Sequence, residues 1–150
     1  MGIHMPWPSP DLAERLRSAG LRPTQPRIAL ARLLFDAGHR HVTVEELHKE
    51  AIAAAIPVSL ATVYNSLHQF TAAGLLREVV IAPGRLYFDT NVDEHHHFFW
   101  ESTGMLQDIP EKEIVVLGIP APPIGTVISH VEVVVRLRPL HGRQPKSSTV

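Results

Sequence analysis

Three consecutive histidines, His95 to His97, are the residues most able to do chemistry in this sequence. Alternate side chains of an extended strand share a face, so His95 and His97 point to one side and His96 to the other. Imidazole nitrogens bind borderline divalent metals, and two imidazoles on one face can bind the same ion. The spacing therefore predicts a metal site that uses His95 and His97.

Three more residues are placed to complete this site. Asp89 ends the apolar run before the histidines, Asp108 ends the hairpin after them, and His41 precedes a predicted helix. Three imidazoles and two carboxylates suit Fe(II), Mn(II), Co(II) or Zn(II). The alternative is a solvated His-rich turn that binds metal only adventitiously.

A second site is predicted on the other side of the strand. His96 faces that side, and His130 is its predicted companion, with Glu111 or Glu113 as a further ligand. Imidazole also ligates haem iron, so the ligand of this second site is a metal or haem. The competing interpretation is that His96 and His130 bind nothing.

Composition limits the other possibilities. The chain has no cysteine, which excludes disulfides, thiolate catalysis, iron–sulfur clusters and Cys-based zinc sites. With 45% hydrophobic and 19% charged residues it is a globular protein. Apolar runs stay well short of the roughly 20 residues that span a bilayer, and the first residues lack the features of a signal peptide. We therefore expect a cytoplasmic protein with no membrane partner.

Start and stop signals predict four helices before the histidines. The helices occupy about residues 10–19, 25–37, 44–56 and 60–73, and their predicted caps are Ser9, Thr24, Thr43 and Ser59. Thr43 and Glu46 form a capping box. The side of the fourth helix that we expect to be buried carries Leu60, Val63, Leu67 and Phe70. The third and fourth helices are separated by a turn short enough for a helix-turn-helix.

Strand patterns follow the fourth helix. They predict one hairpin over about residues 75–81 and 85–88, a second over 98–100 and 105–109, and a single strand over 127–137. In the last strand, valines alternate with Glu132 and Arg136, which puts the two charged side chains on the side away from the valines. The intervening sequence IPAPPIG is predicted to be a loop.

Helices followed by one short hairpin indicate an α+β fold that begins with a winged helix-turn-helix. We predict that residues 1–88 form this DNA-binding domain, that residues 89–142 form a smaller domain, and that 143–150 are a flexible tail. Residues 1–88 carry nine Lys/Arg against seven Asp/Glu, a net of +2, whereas residues 89–150 carry five against eight, a net of −3. This asymmetry mildly favours contact between the first domain and phosphate.

The outer face of the fourth helix has the residue types of a DNA-reading helix. Small Ala61 and Thr62 let the backbone approach the major groove, and Asn65 can pair with adenine. Hydroxyl and guanidinium groups anchor phosphates. The alternative is an ordinary amphipathic helix with a polar outer side. The candidate DNA-binding residues are Arg22, Arg27, Ser59, Ala61, Thr62, Tyr64, Asn65 and Arg85.

Four motifs resemble, in order and spacing, those of the ferric uptake regulator family. They are GLRPTQPR, HVTVEELHKEA, PVSLATVYNSLHQFTAAGLL and YFDTNVDEHHHFF, and the resemblance covers about residues 20–138. LATVY and HHHFF are most similar to the iron response regulator branch, whose members sense iron status through haem.

The resemblance implies a dimeric repressor or activator with an N-terminal winged helix and a C-terminal α/β dimerisation domain. By resemblance, the regulatory metal ligands are His41, Asp89, His95, His97 and Asp108. Tyr64 matches the family's base-contacting tyrosine, and Arg22 matches its basic residue near the minor groove.

Two departures from the family pattern change what is expected. Ser102, Thr103 and Gly104 stand where many members have one of the paired CxxC motifs, so the structural zinc site is absent. The helix that usually follows the second hairpin is short or missing, because PAPP intervenes. Since there is no cysteine, any haem must use the histidines.

Together these observations predict a metal- or haem-responsive transcriptional regulator of iron homeostasis. It would bind AT-rich palindromic operator DNA as a homodimer and would not be an enzyme. One alternative is a peroxide-sensing repressor of the same family, because Asp108 resembles the acidic ligand of those members. Two others are a metal-dependent hydrolase and a module that stores metal or haem without binding DNA.

Overall fold

The computed structural model describes residues 11–140. The chain divides into two compact units between Val92 and Asp93. The sequence placed this boundary four residues earlier, so Asp89 lies in the first unit and the three histidines lie in the second. The predicted tail 143–150 and Ser9 lie outside the described residues.

Four helices build most of the first unit. They are α1 (Leu12–Ser18), α2 (Gln25–Phe35), α3 (Val44–Ala53) and α4 (Leu60–Ala72). The prediction that Ser9 caps α1 is wrong, because the N-cap is Asp11. Its carboxylate accepts a hydrogen bond from the Ala13 backbone N–H at 3.1 Å. Thr24 occupies the N-cap of α2, but within the described part of the chain its side chain makes no capping hydrogen bond.

The capping box of α3 is confirmed. Thr43 Oγ1 accepts from the Glu46 N–H at 3.2 Å, and Glu46 Oε2 accepts from the Thr43 N–H at 2.9 Å. Ser59 caps α4 as predicted, because its hydroxyl accepts from the Thr62 N–H at 3.1 Å. Both caps satisfy N–H groups that the helix itself leaves without a partner.

The helices enclose one apolar core. Its fully buried side chains include Leu30, Leu34, Leu47, Val63, Leu67, Phe70 and Phe88. The prediction that Leu60 belongs to the buried side of α4 is wrong, since Leu60 is 45% exposed. It is the first residue of α4, where the helix begins. Ser66 is buried instead, because it lies three residues after Val63 on the same helical face.

A three-stranded sheet completes the first unit. Its strands are β1 (His41–Val42), β2 (Arg77–Ala82) and β3 (Arg85–Asp89), in the order β1-β3-β2. The β2–β3 hairpin is the predicted wing, and Gly84 in its turn has φ +77°, a conformation that favours glycine. The two-residue strand β1 was predicted as a loop. It pairs with β3 so that His41 lies opposite Asp89.

The second unit has its own three-stranded sheet. The strands are β4 (His95–Trp100), β5 (Leu106–Pro110) and β6 (Val134–Leu137), with β4 in the centre. β4 is antiparallel to β5 and parallel to β6. It begins three residues before the predicted hairpin strand, and a 3₁₀ helix, Glu111–Glu113, follows β5.

The last predicted strand is much shorter than expected. Residues 127–137 alternate like a strand, but only Val134–Leu137 pair with β4. The preceding residues 115–130 are exposed and outside any strand. An alternating sequence forms a strand only where a neighbouring strand accepts its hydrogen bonds, and β4 reaches only the last four residues. The predicted loop 119–125 is confirmed as non-helical.

Candidate metal centre and nucleic-acid interface

In the second unit, strand β4 brings His95 and His97 to one face, as the alternation predicted. Their Nε2 atoms lie 3.0 Å apart. Asp108 lies opposite His97 across the β4–β5 pair, and its Oδ1 is 3.4 Å from each Nε2. Two imidazole nitrogens and one carboxylate oxygen therefore converge, with both histidine side chains almost completely buried.

The opposite nitrogens of these two rings face protein groups. Nδ1 of His95 donates to the backbone carbonyl of Asp93. Nδ1 of His97 lies 2.8 Å from Oε1 of Glu132. These contacts turn both rings so that Nε2, and not Nδ1, faces the convergence point. Such outer contacts are typical of histidines that ligate a metal.

Glu132 lies beside His97, a position that the sequence did not predict. Only 16% of its side chain is exposed, and its Oε1 contacts the His97 ring. The parallel pairing of β4 with β6 brings together these residues, which are far apart in the chain. A charged residue between valines in an apolar run was the only available signal.

The first unit contributes a second His–carboxylate pair. His41 in β1 and Asp89 at the end of β3 lie opposite each other, and His41 Nε2 is 3.0 Å from Asp89 Oδ2. The other carboxylate oxygen of Asp89 accepts from the Asn91 N–H at 2.9 Å. The Asp89 side chain is fully buried. A buried carboxylate needs hydrogen-bond donors or a neighbouring positive charge, and the Asn91 N–H is one such donor to Asp89.

The structure uses His96 differently from its two neighbours. Nδ1 of His96 accepts a hydrogen bond from the Val133 N–H at 3.1 Å, which ties β4 to the segment before β6. A neutral ring that accepts at Nδ1 carries its proton on Nε2, so it offers no second lone pair. His130 is exposed, and its ring contacts the Ser129 hydroxyl at 3.2 Å.

The predicted second site is therefore not assembled in the described structure. Within residues 11–140, three ligand atoms do not gather around His96 or His130. Glu111 and Glu113 lie exposed in the 3₁₀ helix after β5. A metal or haem site at His96 and His130 stays a prediction.

The outer side of α4 is exposed where the sequence predicted contact with DNA. Tyr64 is 52% exposed, Ala61 and Asn65 are exposed, and Thr62 is partly so. Ser59 and Thr62 hydroxyls lie 2.9 Å apart at the first turn of the helix. The small residues and the amide leave this face open to a groove.

The three predicted phosphate-binding arginines have different environments. Arg22 and Arg85 are exposed, the latter at the start of β3 in the wing. Arg27 is engaged within the unit, because its guanidinium donates to Gln69 at 2.6 Å and to the Arg22 carbonyl at 2.9 Å. Arg27 thus joins α2 to α4, a positional role that the sequence did not reveal.

The base of α4 contains a residue that the sequence did not select. His68 Nδ1 lies 3.0 Å from Glu78 Oε1 on β2, and its ring is 4.3 Å from the Tyr64 ring and 5.4 Å from the Phe88 ring. These contacts support the Tyr64 ring from beneath and connect α4 to the wing. The sequence contained one indication of this contact, because residues four apart on a helix, such as Tyr64 and His68, are neighbours.

One group in the wing has a shifted acidity. Burial raises the pKa of Tyr87 above its ordinary value, the Glu46 charge adds to this, and the Arg85 charge opposes it. The phenol therefore stays neutral around pH 7.

Comparison with known proteins decides the class of this chain. The model of the ferric uptake regulator family matches residues 18–119, about two thirds of the sequence. The chain belongs to this family. It is a transcriptional regulator and not an enzyme, and the family's winged-helix fold agrees with the α+β architecture described above. The hydrolase alternative finds no support.

Two named relatives and one solved structure define the similarity. The transcriptional regulator FurA of Mycobacterium tuberculosis is 38% identical over 102 residues, which cover 67% of each chain. The peroxide-responsive repressor PerR of Staphylococcus aureus is 35% identical over 94 residues, 62% of each chain. The ferric uptake regulator of Pseudomonas aeruginosa, solved with manganese, aligns with a TM-score of 0.64 and 29% identity over 84% of this chain and 96% of its own.

Among the described residues, no helix is both long and apolar enough to cross a membrane.

Proposed function

We propose that this regulator binds one divalent metal ion through His41, Asp89, His95, His97 and Asp108, and that the ion controls its binding to operator DNA. The observation that carries the proposal is the convergence in the second unit. Two buried Nε2 atoms lie 3.0 Å apart, with a carboxylate oxygen 3.4 Å from each. Three such electron-pair donors facing one point are the arrangement that binds a cation.

The donor atoms fit Fe(II), Mn(II) or Zn(II). Imidazole nitrogen suits all three ions, and carboxylate oxygen is acceptable to each. Two carboxylates would offset the two positive charges of the ion. The manganese in the P. aeruginosa relative supports a divalent ion of this kind.

The ligands come from both units, which gives the ion a way to control DNA binding. When bound, the ion supplies a positive charge that the imidazoles and carboxylates share. A ligand shifts a conformational equilibrium only if it binds one arrangement more tightly than another. We propose that the ion favours the arrangement in which α4 reads its operator, so that the protein represses when loaded.

The outer face of α4 supports a specific DNA contact. Tyr64 and Asn65 are exposed on the side of α4 away from the core. Arg22, between α1 and α2, and Arg85, at the start of β3 in the wing, are also exposed. A helix of this kind enters the major groove while basic side chains hold the phosphates. We expect an AT-rich operator, because Asn pairs with adenine and the small residues can meet thymine methyl groups. We propose that the protein binds this operator in the cytoplasm.

A homodimer is part of the proposal. In the second unit the aliphatic side chains of Val115, Leu117, Ile124 and Val127 are 78%, 85%, 106% and 87% exposed. Large apolar side chains that are exposed in this number within one unit are often covered by a partner. A second copy is the partner that a palindromic operator requires, since each half-site takes one α4.

Haem is the other ligand considered for the histidines. The converging Nε2 atoms of His95 and His97 are buried, which favours a small ion over a porphyrin at this point. Haem binding therefore stays a prediction for the remaining histidines. An absorption spectrum of protein mixed with haem tests it, and a Soret band that His96→Ala and His130→Ala remove would establish it.

A peroxide response is the second candidate function. Asp108 is close to His95 and His97, and S. aureus PerR is among the relatives. If peroxide is sensed, hydrogen peroxide added to the iron-loaded protein leaves an oxidised histidine that mass spectrometry of peptides detects. The manganese-loaded protein is the control, because it should stay unmodified.

The test of the main proposal is a fluorescence-anisotropy titration of an AT-rich palindromic duplex. We expect Mn(II) to tighten the complex of the wild type at least about 10-fold, a typical allosteric coupling. His95→Ala should abolish this response, and His39→Ala, which changes an exposed histidine, should retain it. DNA affinity that is the same with and without Mn(II), Fe(II) and Zn(II) would refute metal control.

A further inference from the structure

Glu132 lies against a histidine of the metal centre without belonging to the predicted ligand set. Its Oε1 is 2.8 Å from Nδ1 of His97, and the side chains are 16% and 0% exposed. The two residues come from distant parts of the second unit. This contact places a charged group on the side of the His97 ring that faces away from His95.

The backbone around Glu132 is fixed to β4. The Val133 N–H donates to His96 Nδ1 at 3.1 Å, and the Val133 carbonyl accepts from the His97 N–H at 3.0 Å. Val134 then begins β6, opposite His97 in the parallel pairing. The segment therefore presents Glu132 to His97 from a defined position.

A neutral imidazole has one N–H and one lone pair, and the neighbouring groups decide which nitrogen has which. A carboxylate next to Nδ1 stabilises the form with the proton on Nδ1. The lone pair is then on Nε2, which is the atom 3.0 Å from Nε2 of His95 and 3.4 Å from Asp108. Metal-ligating histidines commonly gain their orientation and basicity from such a carboxylate.

We infer that Glu132 is a positioning residue that sets the tautomer and orientation of His97 for metal binding, and is not itself a ligand. The inference rests on the proposed function, in which His97 is a ligand. Because Nδ1 and Nε2 lie on different sides of the ring, the carboxylate beside Nδ1 acts on the ion through His97.

The two histidines differ in this respect. His95 Nδ1 donates to a neutral backbone carbonyl, that of Asp93, whereas His97 faces an anion. His97 therefore has a carboxylate on the Nδ1 side of its ring. Removing Glu132 should therefore change His97 and leave the tautomer of His95 unchanged.

The test uses nitrogen NMR of the full-length, metal-free protein at about pH 8, where imidazoles are mostly neutral. In the wild type, His97 should carry its proton on Nδ1. Glu132→Ala should convert part of the population to the form protonated on Nε2. Glu132→Gln should keep the wild-type tautomer, since its amide oxygen can accept a hydrogen bond from Nδ1. It also provides a variant of unchanged size should the alanine variant fail to fold.

The same variants are titrated with Mn(II) by calorimetry. Glu132→Ala should bind about 10- to 100-fold more weakly, as for other outer-carboxylate changes, and Glu132→Gln should lose less. Glu113→Ala removes an exposed carboxylate of the same unit and should match the wild type.

Each outcome is decisive. An unchanged His97 tautomer and Mn(II) affinity in Glu132→Ala would overturn the inference. An unchanged tautomer with weakened affinity would overturn it in favour of Glu132 as a direct ligand. If the tautomer changes but the wild type binds no Mn(II), the proposed metal function fails while the Glu132–His97 coupling stands.

Discussion

The imidazole rings of His95 and His97 each use one nitrogen to contact the protein and direct the other toward the same point. This geometry supports the proposal that both rings bind one metal ion. His96, between them, accepts a backbone hydrogen bond at Nδ1 and links β4 to the segment before β6. Three adjacent residues of one type thus have two different roles, and strand alternation explains the difference.

Replacing one converging histidine should remove metal binding. His95→Ala removes one of the two buried imidazole nitrogens, and we expect the Mn(II) affinity to fall at least about 100-fold. Loss of a residue that binds the metal directly should weaken binding at least as much as loss of a residue that only contacts a ligand. Calorimetry measures this, with His39→Ala as the matched exposed histidine. Equal Mn(II) affinities for the two variants would show that His95 is not a ligand.

Replacing the exposed tyrosine of α4 should affect DNA and not metal. Tyr64 is 52% exposed and lies on the outer face, so Tyr64→Ala should leave the fold intact. Loss of one base contact costs about 1–3 kcal/mol of specific binding. Anisotropy with operator and scrambled duplexes measures it. A variant that loses equal affinity for both sequences would mean that Tyr64 holds phosphate and does not read bases.

Among the elements, α4 depends on contacts from three sides. Ser59 caps its start, Arg27 holds Gln69 on its outer side, and the ring of His68 connects it to Glu78 on β2. Its inner side packs Val63, Leu67 and Phe70 into the core. We propose that α4 reads DNA bases, and these contacts would hold the helix in a fixed position for that role.

Of the residues in α4, Phe70 should contribute most to the free energy of unfolding. Phe70 is fully buried, so Phe70→Ala should destabilise the protein by about 3–5 kcal/mol. Urea unfolding followed by circular dichroism measures the change. Ile52→Ala, at a position 58% exposed, is the control and should stay within about 0.5 kcal/mol of the wild type. Similar midpoints for both variants would mean that α4 is not packed as described.

The elements also show what sequence can and cannot predict. Helices α3 and α4 were predicted closely, because Thr43, Glu46 and Ser59 act within a few residues of themselves. Strand β1 was missed, since two residues carry no period and its partner, Asp89, is distant in the chain. The contact of Glu132 with His97 was also not predicted, because the β4–β6 pairing depends on contacts that no local pattern contains.

At the scale of the whole molecule, the chain has two compact units. The first carries the exposed face of α4 and the His41–Asp89 pair, and the second carries the converging histidines and the exposed Val115, Leu117, Ile124 and Val127. We propose that residues of both units bind the metal ion. We also propose that a second copy of the chain places one α4 in each half-site of a palindrome.

Dimerisation should depend on the exposed aliphatic side chains Val115, Leu117, Ile124 and Val127 of the second unit. Leu117→Glu puts a charge on a side chain that is 85% exposed and, in our proposal, is covered by the second copy. We expect the dimer dissociation constant to rise at least about 10-fold, equal to about 1.4 kcal/mol. Analytical ultracentrifugation measures it. Val80→Glu, 66% exposed in the first unit, should leave the dimer intact, and equal effects of both substitutions would exclude these side chains from the interface.

The most direct measurement is the reciprocal coupling between metal and DNA. Binding free energies are linked, so a factor by which Mn(II) tightens operator binding must equal the factor by which operator tightens Mn(II) binding. Calorimetric titration of the metal-free protein with Mn(II), in the absence and presence of saturating operator, gives the second factor. We predict that saturating operator tightens Mn(II) binding at least about 10-fold. His97→Ala should abolish this tightening. The same Mn(II) affinity on and off the operator would contradict it.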